Sequence, residues 1–127
     1  MKFSEKAKSL YLDGYSCSES VMKAAQEAGL LAKNEELCRA MKVFRAGIMQ
    51  NRCLCGALAS VILILGLQPT EGNDQKVNEL YKKFVEKYGG SCCRVVSGKG
   101  KTGVEFDDPQ RKKYCSEVVL TAAQFLE

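Results

Sequence analysis

The sequence predicts an all-α fold, a single-domain bundle of five or six helices over residues 1–127 around a buried apolar central helix. Three observations predict it. Apolar residues recur at helical spacing in several separate stretches, and no stretch shows convincing period-two alternation. Start and stop signals bracket those stretches at the right places. The run Ala57 to Leu67 carries no charge and is apolar on every side, which suits a helix enclosed by others. A bilayer span needs about 20 apolar residues, so this run is too short to be one.

The elements follow in order. Phe3, Ala7, Leu10 and Tyr11 give a first helix from about Ser4 to Asp13, stopped by Gly14. Ser16 and Glu19 form an S-x-x-E capping box, which makes Ser16 the N-cap and Cys17 the first helical residue. Cys17, Val21, Ala24 and Ala28 then share an inward face, and Gly29 closes the second helix. A third helix is expected from Asn34 to about Ala46, with Leu37, Met41, Phe44 and Ile48 as its buried stripe. A loop, Gly47 to Arg52, leads into the central helix. Val77, Leu80, Tyr81, Phe84, Val85 and Tyr88 mark a further helix ending at Gly89. Ser91 is the expected N-cap of a short helix with Cys92 and Cys93 in its first turn. The Gly- and Lys-rich stretch Ser97 to Asp107 reads as a surface loop. Asp108-Pro109 starts the last helix, in which Cys115, Val118, Ala122 and Phe125 share a face, with Val119 and Leu126 at its edge.

Composition narrows the chemistry. The 127 residues are 46% hydrophobic and 27% charged, ordinary for a globular domain, and the net charge of +4 is too small and dispersed to argue for nucleic acid. The start, M-K-F-S-E-K-A-K, has no apolar stretch long enough for a signal peptide, so a cytoplasmic location is expected. There is no histidine, which excludes a Cys-His dyad, a mixed-ligand zinc finger and C-x-x-C-H attachment of haem c. No Walker pattern and no paired carboxylates stand out, and the tyrosines at helical spacing read as core. Arg111, Lys112 and Lys113 read as a solvated first turn.

Seven cysteines remain, more than packing requires. A reducing compartment disfavours a static disulfide framework, so redox or metal chemistry gains weight. Cys17, Cys55 and the Cys92/Cys93 pair each fall in an expected first helical turn. A helix N-terminus can stabilise a thiolate and lower a cysteine pKa from about 8.5 into the range of about 3.5 to 7.5. No acid occurs between Glu36 and Glu71, whereas Arg39, Lys42, Arg45 and Arg52 do, so the Cys53/Cys55 pair sits in a locally cationic sequence. Cys115 is the exception, about two turns into its helix. Cys38 lies beside the third helix's stripe and reads as packing.

The motifs G-Y-S-C-S-E-S-V (Gly14 to Val21), C-G-A-L-A-S-V-I-L-I-L-G-L (Cys55 to Leu67), F-V-E-K-Y-G-G-S-C-C-R-V-V (Phe84 to Val96) and Y-C-S-E-V-V together resemble the C_GCAxxG_C_C family of redox-active proteins. The resemblance covers nearly the whole chain and implies a functional set of Cys17, Cys55, Cys93 and Cys115. Two departures stand out. Ser60 replaces the last glycine of the core motif, and A-G-I-M-Q-N-R-C replaces the family's Gly-rich loop, bringing in Arg52 and Cys53.

Three functions fit these residues. In the first, two of the four cysteines cycle between thiol and disulfide, with Cys55 the expected attacking group and Cys93 or Cys115 resolving; a vicinal Cys92–Cys93 disulfide is a variant. In the second, Cys17, Cys55, Cys93 and Cys115 ligate zinc, copper(I) or an iron–sulfur cluster. The spacing argues against it, because ligands usually come in close C-x-x-C pairs. In the third, the cysteines only pack, and the domain is an adaptor. The resemblance implies an association with transporters, hence a redox or transporter-associated partner, with no membrane span and no nucleic acid.

Overall fold

A computed structural model describes residues 1–97 and 109–127 and shows seven α-helices among them, with no β-strand. They are α1 (Phe3–Leu12), α2 (Cys17–Glu27), α3 (Glu35–Ala40), α4 (Gly56–Leu67), α5 (Asn73–Tyr88), α6 (Cys93–Val96) and α7 (Pro109–Gln124). The expected loop from Ser97 to Asp107 and the Asp108 cap lie outside the described residues, apart from Ser97 itself.

The helix signals work locally as the sequence dictates. The Ser16 hydroxyl accepts from the Glu19 N–H at 3.3 Å, and the Glu19 carboxylate accepts from the Ser16 N–H at 3.3 Å, so the capping box is complete. Gly29 and Gly89 follow their helices at φ of +81°, where a side chain would be strained.

The bundle is built on α2 and α4. Helix α1 lies against both α2 and α7, α2 packs on α4, and α4 also meets α5 and α7. Val21, Met22, Leu58, Val61, Phe84 and Val119 are fully buried where these surfaces meet. Small residues allow the α2–α4 approach. The buried Ser60 hydroxyl donates to the Ser18 carbonyl at 2.6 Å, and the Ser18 hydroxyl donates to the Met41 carbonyl at 2.7 Å. The serine that stands at the core motif's last position thus ties α4 to α2.

Several expectations are corrected. The third helix stops at Ala40 and tightens into a 3₁₀ turn over Met41–Phe44, with Asn34 as N-cap. Of its predicted stripe only Met41 is buried; Leu37 and Phe44 are half-buried and Ile48 is exposed. Ala28 is exposed rather than part of the inward face of α2. Helix α4 is enclosed on all sides only from Gly56 to Val61; Leu63 and Leu67 reach solvent. Cys92, not Ser91, is the N-cap of α6, and Cys55 is the N-cap of α4 rather than a first-turn residue. In α5 only Leu80 and Phe84 are buried, and Tyr81 is exposed, its hydroxyl donating to Ser91 at 3.0 Å. No described helix is long and apolar enough to cross a membrane.

Candidate functional site: a four-cysteine cavity

The segment between the 3₁₀ turn and α4 has unusual geometry. Ala46, Gly47, Ile48, Met49 and Gln50 are consecutive left-handed residues, with φ between +49° and +76°, and Arg52 follows at +59°. Each non-glycine residue there costs about 1–2 kcal/mol. Backbone bonds hold the loop in this form: Met49 N–H to Val43 O, Gln50 N–H to Arg45 O, and Cys53 N–H to Gly47 O at 2.9 Å. A β-carbon on Gly47 would collide with the Cys53 nitrogen and the Arg52 backbone, so no side chain fits at that position.

The loop has two consequences for the cysteines. Its first amide, Ala46 N–H, faces the Cys17 sulfur. Its end delivers Leu54 to an antiparallel bridge with Cys92, flanked by bonds from Cys55 N–H to Ser91 O at 2.8 Å and from Cys93 N–H to Cys53 O. That bridge sets the start of α4 beside the start of α6. Cys55 and Cys93 are thereby brought into one region from residues far apart in the chain.

Cys17, Cys55, Cys93 and Cys115 all line one cavity of about 450 Å³. They come from the starts of α2, α4 and α6 and from the second turn of α7. Gly56 makes the approach possible, since a β-carbon there would sit 2.7 Å from Cys17 Sγ and 2.9 Å from the Phe44 carbonyl. The remaining cysteines lie elsewhere. Cys53 and Cys92 are exposed beside the bridge, and Cys38 is half-buried against the core. All seven are free thiols.

Two residues whose sequence positions suggest only ordinary roles belong to the cavity. Arg111 is buried, not part of a solvated turn, and its Nη2 donates to Cys93 Sγ at 3.4 Å. Tyr11 lines the wall, and its hydroxyl is hydrogen-bonded to the Cys115 sulfur. Spacing alone hints at neither, because an arginine in a first turn is commonly solvated and a tyrosine on an amphipathic helix commonly packs.

Electrostatics oppose the expected thiolate activation at Cys17 and Cys55, and raise Cys115 as well, for which the sequence predicts no activation. Burial pushes the Cys55 thiol up, and neighbouring Cys17 adds to this; the amides of Leu58 and Ala57 at the start of α4 offset only part, and none makes a well-formed capping bond to the sulfur. Burial also raises Cys17, against the Ala46 amide. Cys115 is pushed up to about 11 by burial, although Arg111 and the Tyr11 hydroxyl favour its ionised form. Loss of water outweighs the helix N-terminus here. Cys17 and Cys93 also lie within electrostatic reach of Cys55 and Cys115, so a negative charge on either discourages ionisation of Cys55 and Cys115.

A metal cradle is a poorer fit. Among the described residues, no group of three or more cysteine, aspartate or glutamate side chains is gathered tightly enough to hold an ion. The Arg111 guanidinium also places a fixed cation against one of the four sulfurs.

No curated protein and no solved structure matches this chain. One family model does, over residues 15–127, and its description is "Putative redox-active protein (C_GCAxxG_C_C)". With the matched region running from just before Cys17 to the end of the chain and holding all four cavity cysteines, the protein belongs to the C_GCAxxG_C_C family.

Proposed function

We propose that the protein carries out thiol–disulfide chemistry in this cavity, with Cys93 as the attacking group. The observation that carries the reading is the convergence of four cysteines on one cavity with a buried guanidinium at 3.4 Å from Cys93 Sγ. A nucleophilic sulfur needs its negative charge stabilised, and an arginine does so without being able to donate its own proton away at neutral pH. Cys55, the attacking group expected from sequence, is held as a thiol by burial, with neighbouring Cys17 adding to it. Cys17, Cys55 and Cys115 therefore serve as resolving thiols, kept protonated until a mixed disulfide forms on Cys93.

Thiol counting tests this. In a variant with Cys38, Cys53 and Cys92 replaced by serine, mild oxidation with a small disulfide should remove two thiols of four. Adding Cys93→Ser should abolish that loss. Persistence of the two-thiol loss without Cys93 would assign the attack to another residue.

A further inference from the structure

The cavity wall is lopsided in charge. Among the described residues it carries four cations, Lys42, Arg45, Arg111 and Lys112, and one carboxylate, Glu19. That carboxylate is occupied locally, accepting from the Ser16 hydroxyl at 2.7 Å and from the Ser16 N–H. No ion pair among the described residues holds Lys42, Arg45 or Lys112. Lys42 and Lys112 are exposed and Arg45 is half-buried, so these three lie toward solvent, whereas Arg111 is buried beside Cys93. The rest of the wall is mostly apolar, including Ala57, Val96, Val118 and Val119. Low-dielectric walls under a ring of one sign concentrate the field at the opening. The volume of about 450 Å³ falls in the range of about 300–1,000 Å³ typical of small-molecule sites.

From this juxtaposition we propose that the cavity selects a small anionic disulfide, one whose ends carry carboxylates, over neutral or cationic disulfides of the same size. The proposal rests on the thiol–disulfide reading above and adds its substrate class. The carboxylates meet Lys42, Arg45 and Lys112 while the S–S bond reaches the sulfurs. In the first step the Cys93 thiolate attacks one substrate sulfur; a protein–substrate S–S bond forms, the substrate S–S bond breaks, and one thiolate leaves and takes up a proton. In the second, a neighbouring cluster thiol loses its proton, attacks the Cys93 sulfur and expels the second substrate thiolate. The substrate gains two electrons and two protons and leaves as two thiols. The protein pair loses the same, one proton when Cys93 ionises before the attack and one from the resolving thiol, and is left as a disulfide.

The test compares dithiodipropionate, hydroxyethyl disulfide and cystamine, which share a two-carbon arm and end in a carboxylate, a hydroxyl or an ammonium. Their oxidation of the four cavity cysteines is followed in the Cys38→Ser/Cys53→Ser/Cys92→Ser protein. Each rate is divided by the same reagent's rate with the denatured chain, which removes differences in leaving-group chemistry. At low ionic strength the normalised rate for the dianion should exceed that for the dication by about tenfold or more. High salt should close most of that gap, and Lys42→Glu with Arg45→Glu should close or invert it. Equal normalised rates, or a faster dication, would overturn the anion preference and leave the thiol–disulfide reading standing. No oxidation of the cluster by any of the three would sink both. The salt titration is done on the protein with its charges intact, so the outcome does not depend on the reversal variant folding.

Discussion

Single residues decide how closely the cysteines can gather. Gly56 is the clearest case, because a methyl group there collides with both Cys17 Sγ and the Phe44 carbonyl. Gly56→Ala should cost about 1–3 kcal/mol in urea unfolding, the usual penalty of overpacking, and should speed alkylation of Cys17 by displacing it; an unchanged midpoint would contradict the close approach. Arg111 acts in the opposite sense, by charge. Arg111→Met keeps much of the side-chain bulk and removes the guanidinium, so alkylation of Cys93 at neutral pH should slow several-fold while alkylation of Cys53 does not change. An equal effect on both cysteines would point to general loosening instead. These two residues also show what the sequence could and could not say. The glycine sits inside a motif and announces close packing. The arginine sits beside two lysines in a first turn, and nothing in that pattern marks it as the one that turns inward.

At the scale of elements, the left-handed loop from Ala46 to Gln50 is the feature the sequence hid. The helical stripe Leu37, Met41, Phe44, Ile48 predicts a longer third helix, and local spacing alone does not show that the chain tightens into a 3₁₀ turn after Ala40. The family's Gly-rich loop would adopt such φ values at little cost. This chain keeps Gly47, where even a β-carbon is excluded, and accepts strain at its neighbours. Met49 is exposed at φ +49°, so Met49→Gly should raise stability by about 0.5–1 kcal/mol, relief of strain exceeding the added freedom of the unfolded chain. A loss of stability would mean the left-handed form is not strained at that residue. The capping box was fully legible, by contrast, because it is written in four adjacent residues. Ser16→Ala should cost about 1 kcal/mol and loosen the start of α2, where Cys17 sits.

For the whole molecule, the bundle and the set of four cysteines were legible because both are written in periodicity and motif. Their ionisation was not. Sequence places Cys17 and Cys55 at helix starts and so argues for lowered pKa values, but three-dimensional burial reverses the direction at both, and it raises Cys115 as well. The reversal has a consequence for stability. A thiol whose folded pKa is raised binds its proton more tightly than in the unfolded chain. Its contribution is fully present below the unfolded value near 8.5–9 and is lost as pH rises through the folded one. Stability should therefore be flat between pH 7 and 8 and fall steeply from about pH 9 to pH 11, the folded value of Cys115. Urea midpoints across that range would show it, and a midpoint that holds steady to pH 11 would contradict the burial of the cluster. Everything proposed for the cavity depends on its four cysteines acting as one redox unit, and peptide mapping after mild oxidation examines that dependence without intermediaries. The expected product is a disulfide joining Cys93 to Cys17, Cys55 or Cys115. Oxidation confined to Cys38, Cys53 and Cys92, with all four cavity cysteines recovered as thiols, would contradict it.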